Sequence, residues 1–132
     1  MTDLLFVYGT LRQGNTNAMA AYLAKQSEYI SAGWFQGCLY AISDYPGAIA
    51  SSDPEQRVYG EIVRLNNAET VLSVLDDYEE CGPQHRQPTA YQRVHACVHT
   101  LDGVGLNPVW IYLYQWSLID KALITHGDFF CG

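Results

Sequence analysis

Tyr91-Gln92-Arg93-Val94-His95-Ala96-Cys97-Val98-His99-Thr100 and Val109-Trp110-Ile111-Tyr112-Leu113-Tyr114-Gln115-Trp116 are two strand-like runs, and Asp102-Gly103-Val104-Gly105 turns the chain between them. Both alternate with a period of two. The first puts Tyr91, Arg93, His95, Cys97 and His99 on one face and Val94, Ala96 and Val98 on the other. The second puts Trp110, Tyr112, Tyr114 and Trp116 against Val109, Ile111 and Leu113. So short a connection favours antiparallel pairing, because parallel strands need a long crossover.

Working outward, Arg57 to Leu65 alternates as a further strand, and Leu4 to Tyr8, closed by Gly9, is an apolar run suited to a buried one. Tyr29 to Ser43 is aromatic and β-branched, with Gly33 and Gly37 interrupting, and reads as one or two strands. Tyr45-Pro46-Gly47 and Ser51-Ser52-Asp53-Pro54 are turn signals. Two segments read as helices. One starts near Thr16 or Asn17 and runs through Ala24. In the other, Asn66 with Glu69 resembles a capping box, Ala68, Val71, Leu72, Leu75 and Tyr78 share an apolar stripe, and Cys81-Gly82-Pro83 stops the helix. A short helical piece is expected around Leu118 to Ile124. Several strands with two helices predict an α+β domain with a strongly curved or barrel-like sheet.

The length, 132 residues, fits one domain over 1–132. With 48% hydrophobic and 16% charged residues the chain has the composition of a folded protein, not a disordered one. The net charge is −7 and the seven basic residues are scattered, which argues against nucleic acid and anionic membrane as partners. No secretory signal or membrane-length apolar run is visible. The four cysteines, Cys38, Cys81, Cys97 and Cys131, form no C-x-x-C pair. A cytoplasmic protein with reduced thiols is expected. Nothing in the sequence sets an oligomeric state.

Two segments are candidates for chemistry. In Leu75-Asp76-Asp77-Tyr78-Glu79-Glu80, Glu79 lies only about 40° around the helix from Leu75. Of the four carboxylates it alone is expected to face the interior. Burial, a helix C-terminus and neighbouring acids all raise a carboxylate pKa, which is what a general acid/base near neutral pH requires. Periodicity alone favours a plainer alternative, a frayed helix end with solvated acids. The second segment is Tyr8-Gly9-Thr10-Leu11-Arg12, where a glycine at a strand end admits close approach to backbone N–H groups able to hold an anion. No phosphate-loop or dinucleotide glycine pattern is present. His95, Cys97 and His99 share a face, but alternate strand positions are about 7 Å apart, so a common metal ion would need a bulge. No hydrolase signature surrounds Cys81 or Cys97.

Taken together, the motifs resemble those of the γ-glutamylcyclotransferase-like superfamily. Tyr8-Gly9-Thr10-Leu11-Arg12 is similar to its YG[ST]L[RK] signature, Val58-Tyr59-Gly60-Glu61-Ile62 to its V-x-G-E-[VI] strand, and Leu75-Asp76-Asp77-Tyr78-Glu79 to its L-D-x-[YF]-E segment. Tyr91-Gln92-Arg93 and Trp110-Ile111-Tyr112-Leu113-Tyr114 follow in order as its Y-x-R and W-x-Y-x-Y. Tyr45-Pro46-Gly47-Ala48 and Gly127-Asp128-Phe129 look like the small bacterial YtfP-type branch, close to the γ-glutamylamine cyclotransferases and plant AIG2-like proteins. One departure is Glu80-Cys81-Gly82, where the family often has Gly directly after the glutamate.

The resemblance implies a small mixed, mostly antiparallel β-barrel with flanking helices and a cavity at one end. It implies cyclisation of an L-γ-glutamyl group to 5-oxoproline with release of an amine or amino acid. It puts the acid/base at Glu79 and the γ-glutamyl group on Tyr8, Gly9, Thr10 and Leu11. Tyr91 and Tyr112 are candidates for lining the cavity, with Tyr114 an equal alternative to Tyr112; aromatic core packing is the competing reading for each. No cofactor, metal or nucleotide is called for. A different class of function stays open: a non-catalytic small-molecule binding or regulatory protein using the same cavity. So does a cyclotransferase for a larger biosynthetic γ-glutamyl adduct, which would need an open mouth. Residues 14–18, 44–56 and 83–90 are the variable loops expected to meet the leaving amine.

Overall fold

The Tyr91–Thr100 run pairs antiparallel with the run that follows it in the computed structural model, which describes residues 2–9, 11, 17–42, 45–79 and 89–128. In chain order the elements are β1 (Leu4–Val7), α1 (Ala18–Lys25), β2 (Ser27–Ala41), β3 (Pro46–Ala50), β4 (Arg57–Leu65), α2 (Ala68–Tyr78), β5 (Tyr91–Thr100), β6 (Gly105–Tyr114) and β7 (Ala122–Leu123). Five strands close on themselves in the order β2-β4-β1-β6-β5 and back to β2. β1 and β6 run parallel and the other pairings are antiparallel. The result is the mixed, mostly antiparallel barrel with two helices among the described residues. None of these helices is long and apolar enough to cross a membrane.

Closure happens at Gly33. There β2 meets β5 through the pairs Gly33–Thr100 and Trp34–His99. A β-carbon at Gly33 would collide with the His99 carbonyl. Gly33 therefore does not interrupt a strand; β2 is one continuous element that turns from β4 to β3 and touches β5 on the way.

The core has two layers, and β1 serves both. Phe6 and Tyr8 point into one cluster with Phe35, Leu39, Val58, Ile62, Val98, Val109 and Ile111, drawn from all five barrel strands. Leu5 and Val7 point the other way, onto Val63, Leu65, Leu23 and the Val71, Leu72 and Leu75 stripe of α2. A strand buried on both faces has no polar side to alternate with, which is why its sequence reads as a continuous apolar run. Tyr91, Tyr112 and Tyr114 lie in the outer layer, between barrel and helix.

Four local expectations are corrected. Tyr45-Pro46-Gly47 is not the turn itself: Ile42 N–H donates to Tyr45 O at 3.1 Å, and Pro46 and Gly47 already belong to β3. Proline is tolerated as the first residue of such an edge strand. The cap of α2 is Asn67, whose side chain accepts from Thr70 N at 3.4 Å, so the Asn66/Glu69 box does not form. Strand β6 spans Gly105–Tyr114, which leaves Trp116 beyond it and moves the turn back to residues 100–104. The described part of the tail holds no helix: Asp120 takes φ 68°, Ala122 and Leu123 pair with Ala41 and Tyr40, and Ile124 N–H donates to Leu39 O at 2.8 Å. Of the two candidate caps for α1, Asn17 takes the role, accepting from Ala20 N at 2.8 Å. Cys81-Gly82-Pro83 lies outside the described residues.

Candidate active site

Val71, Leu72 and Leu75 seat α2 on the barrel, and the helix delivers Glu79 at its end. Glu79 is the C-cap, with φ −81° and ψ 2°, and its N–H still donates to Leu75 O at 2.8 Å. It thus keeps helical phase and sits near the buried face, half-buried at the wall of a cavity of about 480 Å³. Tyr8, Gly9 and Leu11 reach that cavity from the end of β1, Tyr91 from β5 and Tyr112 from β6. Tyr45, Tyr78 and Trp116, each partly exposed, also line it. A β-carbon on Gly9 would come within 2.8 Å of the Pro46 ring, so glycine is what lets the start of β3 close on the β1 loop.

Removal from water pushes the Glu79 carboxyl from 4.5 up to about 7. Burial also pushes the phenols of Tyr8, Tyr91 and Tyr112 up, and the charge of Glu79 adds to the shift of each. All three phenols are neutral at physiological pH, and each spends its proton on the protein. Tyr8 donates to Tyr112 O at 2.5 Å, Tyr91 to Pro46 O at 2.6 Å, and Tyr112 to Asp76 Oδ1 at 2.7 Å. The Tyr8 oxygen accepts from Ala48 N at 3.3 Å. With their donors spent, Tyr91 and Tyr112 present acceptor lone pairs. A carboxyl that titrates near 7 beside such oxygens suits a group carrying a transferable proton.

A family model described as "Gamma-glutamyl cyclotransferase, AIG2-like" matches residues 5–130. The chain belongs to this family. A Vibrio cholerae protein named "Putative gamma-glutamylcyclotransferase" is 33% identical over 132 residues, covering 97% of this chain and 96% of that one. A Danio rerio protein, gamma-glutamylaminecyclotransferase B, is 31% identical over 118 residues. The match covers 80% of this chain and 54% of the Danio rerio protein, about half that relative's length. The solution structure of Escherichia coli ytfP superposes with a TM-score of 0.64 at 27% identity, covering 97% and 96% of the two chains. The chain is an enzyme of γ-glutamylcyclotransferase type.

The γ-glutamyl cyclotransferase motifs converge in space. The cavity gathers Tyr8, Gly9 and Leu11 from the first, Glu79 from the third, Tyr91 from the fourth and Tyr112 from the fifth. Thr10 and Arg12 lie outside the described residues. Between the alternatives on β6, Tyr112 lines the cavity, while Tyr114 packs edge-on against Tyr91 at 5.3 Å and next to Gly47. His95 packs tilted against Trp110 and His99 stacks on Trp34. Among the described residues no His/Cys/Asp/Glu group has the arrangement to hold a metal.

One expectation about α2 is corrected. Glu79 is not alone in turning inward: Asp76 is partly buried and takes Arg93 Nε at 2.7 Å, a second guanidinium nitrogen at 2.9 Å, and the Tyr112 hydroxyl. Asp76 follows Leu72 by four positions, so the same periodicity that picks out Glu79 could have found it. Its partners come from β5 and β6, and no local pattern announces them.

Proposed function

We propose that the protein, acting in the cytoplasm as a single domain over 1–132, cyclises the L-γ-glutamyl group of a small γ-glutamyl amine or peptide. The products are 5-oxoproline and a free amine. The observation that carries this reading is Glu79, half-buried on the cavity wall with a pKa pushed to about 7, among Tyr8, Tyr91 and Tyr112. In the reaction the substrate α-amine attacks its own γ-carbonyl carbon, forming a five-membered lactam as the γ-amide C–N bond breaks. The amine arrives as an ammonium, which is not nucleophilic. Glu79, ionised, takes one proton from it before attack and a second from the attacking nitrogen as the lactam forms, passing each in turn to the departing nitrogen, which leaves as an ammonium, so no proton is gained or lost overall.

The neighbouring groups have distinct tasks in this scheme. Tyr91 and Tyr112, with their donors spent, accept from the ammonium. The backbone of the Tyr8–Leu11 segment, Gly9 and Thr10 included, holds the γ-glutamyl group and the oxyanion formed on attack. Enclosure folds the flexible glutamyl chain into a near-attack shape, which removes part of the entropic barrier. No cofactor enters this sequence of steps. The binding-only alternative calls for a Glu79 that is solvent-exposed or turned from the β1 loop, and the shared cavity favours catalysis instead.

The test is release of 5-oxoproline from γ-glutamyl-ε-lysine, simple γ-glutamyl amino acids and glutathione, run with wild type and Glu79→Gln. Release from at least one compound, lost in the variant, is expected. The compound turned over best names the leaving amine. Binding of γ-glutamyl compounds with no release from any of them would move the reading to the binding protein.

A further inference from the structure

Asp76, Arg93 and Tyr112 lie on three different elements and meet in one cluster beside the cavity. Arg93 grips both oxygens of Asp76, and the guanidinium lies 4.2 Å over the Trp110 ring. Tyr112 gives its proton to the same Oδ1 that Arg93 Nε holds. The three contacts tie the last turn of α2 to β5 and β6. Asp76 precedes Glu79 by three positions, a spacing that brings side chains within about 5–6 Å on a helix.

We infer that Asp76 and Arg93 are positioning residues: their ion pair turns the Tyr112 proton away from the cavity, seats the turn that carries Glu79, and cancels a charge that Glu79 would otherwise feel. Two consequences follow from electrostatics. Removing only the Asp76 charge leaves a cation near Glu79, and removing only the Arg93 charge leaves a second anion. A pairing that served stability alone would weaken the fold in both cases without opposite effects on Glu79. The other titratable or charged groups facing Glu79 among the described residues are Tyr8 at the end of β1, Tyr45 before β3, Tyr91 on β5 and Tyr112 on β6. On its own helix Asp77 and Tyr78 are exposed. Burial keeps the phenols of Tyr8, Tyr91 and Tyr112 neutral, so these three bring no charge of their own to Glu79.

This inference rests on the role assigned to Glu79 above, but its test needs no substrate. The Glu79 side-chain carboxyl is titrated by 13C NMR in wild type, Asp76→Asn, Arg93→Gln and the double variant. Asp76→Asn should lower the Glu79 pKa by about one unit, and Arg93→Gln should raise it by a smaller amount. The double variant should return toward wild type. Shifts of the same sign, or no shift in a folded variant, would overturn the proposal. Asn keeps an acceptor for Tyr112, so should Arg93→Gln fail to fold, Asp76→Asn alone decides: a fall supports the proposal, and no change or a rise overturns it. Opposite shifts without any 5-oxoproline release would sink the cyclisation and leave the pair's role intact.

Discussion

Glu79 is the residue at which stability and the proposed chemistry pull apart. Its carboxyl titrates near 4.5 in an unfolded chain and near 7 here, so the folded state binds the proton more tightly. The favourable contribution is therefore fully present below about pH 4.5, and it is lost as pH rises through 7. Replacing Glu79 by Gln removes the buried charge and keeps the shape. At pH 8 the Glu79→Gln protein should be more stable than wild type by about 1–3 kcal/mol, the upper end being the full shift undiminished by solvent. At pH 4 the two should coincide. Urea unfolding at both pH values checks this, and equal stability at pH 8 would mean that the carboxylate is not desolvated.

The elements show how far local pattern carries. Strands β4 and β5 have the bounds that their alternation predicts, Arg57–Leu65 and Tyr91–Thr100, and α2 follows its apolar stripe. Its cap is different, because two adjacent asparagines offer the same chemistry and only backbone geometry chooses between them. Asn67→Ala should cost about 0.5–1 kcal/mol, at the low end for a cap because the bond is long at 3.4 Å. Asn66→Ala should stay within about 0.5 kcal/mol of wild type. Thermal unfolding separates the two, and the reverse order would restore the Asn66 box. The tail misled for a related reason: Leu118, Ile119, Leu123 and Ile124 have helical spacing, but Asp120 turns the chain, and Ile124 is drawn onto the barrel core. Helix phase put Glu79 on the inner side but by itself favoured a frayed end, and the motif resemblance was needed to single it out. The partners of Asp76 were not legible, since they lie 17 and 36 residues away on other elements.

At the scale of the whole molecule, what the sequence conceals is closure. Five strands and their turns can be read along the chain, but the β2–β5 contact joins residues more than sixty positions apart. Its trace in the sequence is Gly33, which reads locally as a break. Gly33→Ala places a methyl group against the His99 carbonyl, with Ile62 in the barrel core behind it. It should cost about 1–3 kcal/mol, as overpacking does. Amide exchange should rise at the β2–β5 seam before it rises elsewhere. Uniform exchange with unchanged stability would show that the barrel does not depend on that contact. Closure matters to the site because β3 and β5, at opposite ends of the strand order, meet at the cavity, where Tyr91 donates to Pro46 O at 2.6 Å.

The most direct measurement is the pH dependence of kcat/KM for 5-oxoproline release, in wild type and Glu79→Gln, on whichever γ-glutamyl compound turns over best. This ratio reports the ionisation of the free enzyme. The expected profile falls about tenfold per pH unit below a bend near 7, where the free Glu79 carboxyl titrates. Glu79→Gln should lose at least about 100-fold in rate and show no such limb. A flat wild-type profile between pH 5 and 8, or a variant as fast as wild type, would contradict the assignment of Glu79 as the group that moves the proton.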